Sequence, residues 1–144
     1  MSLKYWLTAT AVAASSILVG APTTTSANTA ARVVSVTTTS PNGSYKVGDQ
    51  VLIDVNFSAP VEITGGLGLL LETGVADRIA RSNHSSTPLT MSTLRFTYTV
   101  QVGDRSTDLD VQSSSALLAN DATITTSGGS VDLTLPTPGA AGSL

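Results

Sequence analysis

The chain has no cysteine, and histidine occurs once, at position 84. Disulfide staples are therefore excluded, and so is attachment of a lipid to a cysteine. A zinc centre, which needs several His or Cys ligands, is excluded with them. Charged residues make up only 12% of the 144 positions and aromatic residues 4%. The balance is mildly acidic, at −3, and no basic cluster interrupts it. Such a surface does not suit nucleic acid or an anionic membrane. No stretch has the length and period of a long amphipathic helix.

Threonine, serine and valine are abundant, and they are set in alternation. In VGDQVLIDVNFSAPV (47–61), Val51, Ile53, Val55 and Phe57 share one face, with Asp54 and Asn56 on the other. In LRFTYTVQVGDRSTDLD (94–110), Leu94, Phe96, Tyr98 and Val100 alternate with Arg95, Thr97 and Thr99. A period of two buries one face of a strand and wets the other, as in two packed sheets. These eight apolar residues are the expected inner faces. Further strands are expected at Arg32–Thr38, around Val61–Ile63 after Pro60, which breaks or edges the ladder, and at Leu67–Leu71, Ala76–Arg81 and Leu109–Val111. Ala122–Thr126 and Val131–Leu135 flank Ser127-Gly128-Gly129-Ser130 and read as a hairpin, and Ser113–Ala119 reads as a helical turn.

The N-terminus has the pattern of a secretory signal peptide. Lys4 precedes an uncharged, largely apolar run to Ala21, and Thr25 and Ala27 are the small residues of a cleavage site. The alternative is a retained membrane anchor, but the run is diluted by Thr and Ser and is shorter than the ~20 residues a spanning helix needs. The expected organisation is a leader over 1–27, a linker over 28–31 and one β-sandwich module over 32–144. Lys4 is the only charged residue of the leader, so its removal takes the formal charge from −3 to −4.

The ordered series NGSYKVGD (42–49), VNFSAPVEITG (55–65), LGLLLETG (67–74), LRFTYTVQVGD (94–104), DLDV (108–111), ALLANDATIT (116–125) and LTLPTPGAAGSL (133–144) resembles a bacterial immunoglobulin-like repeat. Such repeats occur in tandem in large surface and secreted adhesin-like proteins. The resemblance implies an antiparallel immunoglobulin-like β-sandwich that is secreted or at the cell surface. Its implied role is adhesion or structural spacing, its implied partners further repeats or other copies of itself, and it brings no catalytic residues. Two departures stand out. Where the family commonly has an Asp-Ala-Ala-Gly-Asn-like turn, this chain has Thr126-Ser127-Gly128-Gly129-Ser130, without the acid. Family repeats also continue past the counterpart of Gly139–Leu144 into one more strand. Without that strand, Arg32–Thr38 and Val131–Leu135 are expected to face an empty edge. A subunit of an extracellular fibre assembled by strand exchange, or a truncated fragment of a longer repeat adhesin, are the alternative readings.

Few residues offer chemistry. Asp104, Asp108 and Asp110 form the tightest acidic cluster, with Asp49 in a second Gly-Asp turn, and are the candidate calcium ligands. The competing reading is that Asp and Gly are ordinary turn residues. No other cofactor is expected. His84 lies in a polar loop without the surroundings of a nucleophile elbow. Asn42-Gly43-Ser44 and Asn83-His84-Ser85 match the N-glycosylation pattern, and in a bacterial context neither is expected to be modified. Glu62 and Glu72 lack a recognisable glycosidase setting. Arg78, Arg81, Arg95 and Arg105 are scattered and read as solvated. No enzymatic activity is expected. Sequencing of exported material should give a mature N-terminus at Asn28; an intact leader in the membrane fraction would instead identify an anchor.

Overall fold

Residues 30–84 and 87–144 are described by the computed structural model; the leader lies outside them. Nine strands follow in chain order: β1 (Val33–Thr38), β2 (Gln50–Thr64), β3 (Gly68–Glu72), β4 (Arg78–Ser82), β5 (Leu89–Thr99), β6 (Asp110–Val111), β7 (Leu117–Leu118), β8 (Thr123–Thr126) and β9 (Gly129–Ser130). There is no helix among the described residues. Every strand pair is antiparallel, and the hydrogen-bonded path runs β6-β3-β4-β5-β2-β8-β9. β1 is added beside β2, and β7 beside β3.

Alternation decides which face is inside. Val51, Ile53, Val55, Phe57, Leu94, Phe96 and Tyr98 are buried, as expected, and Val100 is partly buried against them. Leu69, Leu71, Ala80 and Val111 come from the other strands into the same core. The path therefore closes around one apolar interior, in a β-sandwich-like arrangement. β4 and β5 join its two halves through two residue pairs, Arg81–Thr97 and Ser82–Phe96.

Pro60, expected to break or edge the ladder, does not end β2. β2 runs through it to Thr64, and the pairing with β5 slips there instead. Asn56 faces Thr93 and Val61 faces Met91, so Phe57 to Pro60 stand opposite Ser92 alone. A proline inside such a bulge withholds no ladder donor. The bulge also divides the outer edge of β2. Residues 53–57 of β2 pair with β1, and 62–64 pair with β8. Ser58 lies at the junction and is bonded to Arg32 in both directions: its N–H donates to the Arg32 carbonyl (2.9 Å), and its hydroxyl accepts from Arg32 N–H (3.1 Å).

Two other expectations are corrected. Ser113–Ala119 forms no helix: a tight turn, Ala116 N–H to Ser113 carbonyl, delivers Leu117–Leu118 to β3. The terminal hairpin is shorter than the sequence suggests. Thr126 pairs with Gly129 and Thr125 with Ser130, and β9 ends there.

Beyond β9 the chain is irregular, yet the edge it was expected to leave empty is occupied. Asp132 forms a parallel bridge with Arg32: its N–H donates to Ala31 (2.8 Å), and its carbonyl accepts from Val33 N–H (3.1 Å). Leu135 N–H donates to the Ser114 carbonyl (2.9 Å), and Gly142 accepts from Val36 N–H (2.7 Å). The segment thus ties β1 to the stretch between β6 and β7.

Gly74 is fixed by a close approach. It sits at φ +104°, and a Cβ there would lie 2.6 Å from the Arg105 carbonyl oxygen. Phe57→Ala and Phe96→Ala should each lower the unfolding free energy by about 3–5 kcal/mol in urea titrations. Losses near zero at both would place the face in solvent.

Candidate functional site

The two Val-Gly-Asp sequences build the same turn at one end of the molecule. In each, the Asp N–H donates to the carbonyl three residues back: Asp49 to Lys46 (2.9 Å) and Asp104 to Gln101 (3.2 Å). In each, the Asp carboxylate folds back onto that residue's N–H: Asp49 onto Lys46 and Asp104 onto Gln101, both at 2.7 Å. Gly48 and Gly103 supply the positive φ, +97° and +95°, that the third position of such a turn requires.

Asp104 does more than close its turn. Its side chain is only 6% exposed and accepts from Arg78 Nε at 2.7 Å. It also accepts from the Tyr98 hydroxyl. The cluster ties β4, β5 and the turn after β5 together. Burial alone would raise the Asp104 carboxyl, but hydrogen bonds from Tyr98, Arg78 and the Gln101 N–H, with the Arg78 charge, outweigh it and hold it below the ordinary value of 3.8. The Tyr98 phenol is pushed up by its own burial first, then by its bond to Asp104 and that residue's negative charge.

The three candidate calcium ligands do not converge. Asp104 is held by Arg78 and Tyr98 as described. Asp108 is exposed, and its main-chain carbonyl accepts from the Ser106 hydroxyl at 2.7 Å. Asp110 turns the other way, toward the end of the chain. It accepts from its own neighbour Val111 N–H (2.7 Å), from Gly139 N–H (2.7 Å), from Leu144 N–H (3.3 Å) and from the Ser143 hydroxyl. Among the described residues no three His, Asp or Glu side chains are grouped to hold a metal ion. Asp104 and Asp110 each close a different contact.

Above the Asp104 turn lies an open cleft of about 630 Å³ between the 40–45 and 104–109 loops, floored by Val51, Thr73 and Tyr98. Asp104 and Asp108 border it. A second cleft of about 460 Å³ lies beside the β2 bulge and is lined by Pro60, Glu62 and Thr125. His84 serves the fold: its Nε2 lies 3.0 Å from the Ile63 carbonyl and donates to it. Glu72 accepts from Gly74 N–H at 3.1 Å.

The outer face of β1, β2 and β5 carries a polar ladder that the sequence pattern did not reveal. Asp54, expected in solvent, is buried beneath Arg95, its neighbour across the β2–β5 pair. The guanidinium grips it with two bonds, Nε–Oδ1 at 2.7 Å and Nη2–Oδ2 at 2.6 Å. The hydrogen bond to Asp54, then its charge, raises the Arg95 pKa. One rung along, Asn56 donates to Ser35 (3.1 Å) and Thr37 (3.2 Å) and accepts from Thr93 (2.9 Å). The signal was the outward parity of residues 54 and 95, which becomes a contact only once the register is known.

Comparison of the chain with protein-family models, with known proteins and with solved structures gives no match.

Because Asp104 is held below 3.8, its contribution to stability is complete above that value and is lost as pH falls through the lowered one. Acid titration of stability should therefore be steeper in the native chain than in Asp104→Asn. Tyr98→Phe, measured at neutral pH, should cost about 1.5–3 kcal/mol, the worth of a hydrogen bond to a charged group. Superimposable acid curves would remove Asp104 from this role.

Proposed function

We propose that the chain is an exported, non-catalytic immunoglobulin-like β-sandwich module, secreted or held at the cell surface, that serves adhesion or structural spacing. The observation that carries this reading is the course of residues 131–144. They run between β1 and the β6–β7 stretch, bonded to Val33 and Val36 on one side and to Ser114 on the other. A segment that covers the open edges of β1 and of the β6–β7 stretch together fits a sandwich closed at that side. The pairing of β1 with β2, β2 with β5 and β3 with β6 and β7 fits the same scheme.

The commitment of the carboxylates also supports it. Asp49, Asp54, Asp104 and Asp110 all accept hydrogen bonds that hold backbone or strands in place. A general acid or base needs a carboxyl turned toward a substrate cleft. The module would act by presenting its loops and its polar outer face, with further repeats of a surface protein or other copies of itself as neighbours.

Full-length protein carrying a C-terminal tag, produced in a bacterial host, should be recovered outside the cytoplasm. The purified material should turn over no member of a chromogenic glycoside and ester panel. Retention of the tag in the cytoplasm would overturn export. Turnover abolished by Asp108→Ala or Glu62→Gln would overturn the non-catalytic reading.

A further inference from the structure

The closing segment is held differently from every strand around it. Across residues 131–144 it shares four main-chain hydrogen bonds with the rest of the fold, through Ala31, Val33, Val36 and Ser114. A regular strand between two edges would use nearly every N–H and C=O. Pro136 and Pro138 have no N–H to give. Leu135 is its one buried residue, with Val131, Leu133 and Leu144 packed partly against the core. Much of the remaining hold comes from one carboxylate, Asp110, which takes Gly139 N–H, Leu144 N–H and the Ser143 hydroxyl together. The segment carries a single charged side chain, Asp132, so few side-chain charges oppose its approach to another chain. It is joined to the body by the exposed Ser127–Ser130 turn, which contains Gly128 and Gly129.

We propose that this segment is exchangeable, and that residues 131–144 of a second copy seat in the groove between β1 and Ser114 in place of the chain's own. The occupant is a second copy because the groove already fits this sequence. The incoming segment meets the Val36 N–H, the Leu135 site and the Asp110 carboxylate in the arrangement the closed molecule uses. No new interface has to form, which makes such exchange a low-cost route to association. Asp110 is the latch: release of the segment breaks its three bonds at once. The inference names a partner and a contact for the surface module proposed above, but its test does not depend on where the protein is located.

The test uses the full chain in two forms carrying different affinity tags, mixed and incubated at rising concentration. Co-capture should grow with time and concentration. Asp110→Asn should speed it by roughly tenfold or more, since hydrogen bonds to a charged group are worth that much. A second variant reports the contact itself. A Cβ built at Gly142 lies 3.9 Å from the Ser35 Cβ, within disulfide range, and the chain has no other cysteine. Ser35→Cys with Gly142→Cys, oxidised after incubation at high concentration, should give covalent dimers on a non-reducing gel. Oxidised beforehand in dilute solution, it should give closed monomers that no longer co-capture. Wild-type chains that never co-capture at any concentration would overturn the proposal, as would a thiol pair that closes only within one chain under both conditions.

Discussion

The fold depends on the pairing of β2 with β5. These are its two longest strands, and they meet on both sides of the Phe57–Pro60 bulge. Ile53 and Phe96, opposite one another in this pair, are among the largest fully buried side chains. Because the bulge interrupts β2 without ending it, one strand serves two outer neighbours in succession, β1 and then β8. A straight strand would offer one continuous edge and invite one long partner. The slip allows the same edge to be used twice, by β1 from before β2 and by β8 from after β5.

With so few charges in the chain, four of its acids carry local tasks. Asp49 and Asp104 close matching turns, Asp54 underlies the polar ladder, and Asp110 gathers the last residues. The Asp54–Arg95 pair shows why position matters. The carboxylate is nearly covered while the guanidinium remains half exposed, so only one partner is fully desolvated and the contact is two-pronged. The Asp104 cluster follows the same logic at the end of the sandwich, where burial would be costly without three donors around the carboxylate. In this chain without disulfides, contacts of this kind fasten residues far apart in sequence.

Much of the core was readable from residue order because period-two alternation survives into the packed state. The bulge was not, and the reason lies in β2 itself. Val51, Ile53, Val55, Phe57, Val61 and Ile63 are all buried, so the inward parity of the strand is unchanged across the slip, and only its partner's register records it. Pro60 then reads as a stop when it is a tolerated passenger. The two Val-Gly-Asp turns were legible as turns, since the glycine and the folding-back carboxylate are local devices. What Asp104 and Asp110 additionally hold was not legible. Arg78 and Gly139 lie far away in sequence, and a cluster defined by spacing says nothing about which way each side chain turns. The course of the closing segment escaped for a third reason: Val131, Leu133 and Leu135 keep a period of two, but the bonds beyond them are scattered among prolines and glycines, where no period continues.

The parallel bridge between Arg32 and Asp132 has a mechanical consequence. It lies near the point where the described chain enters the sandwich, and its two N–H···O bonds, at Val33 and Asp132, lie across the direction of the chain. Tension along the polypeptide, applied from both sides of the domain, would pull Arg32 and Asp132 in opposite directions along a common axis. Those bonds would then be loaded together in shear, where an antiparallel pair at the same place would be peeled open one bond at a time. A fold held by modest individual contacts thus sets two of them in the orientation that shares a pulling load.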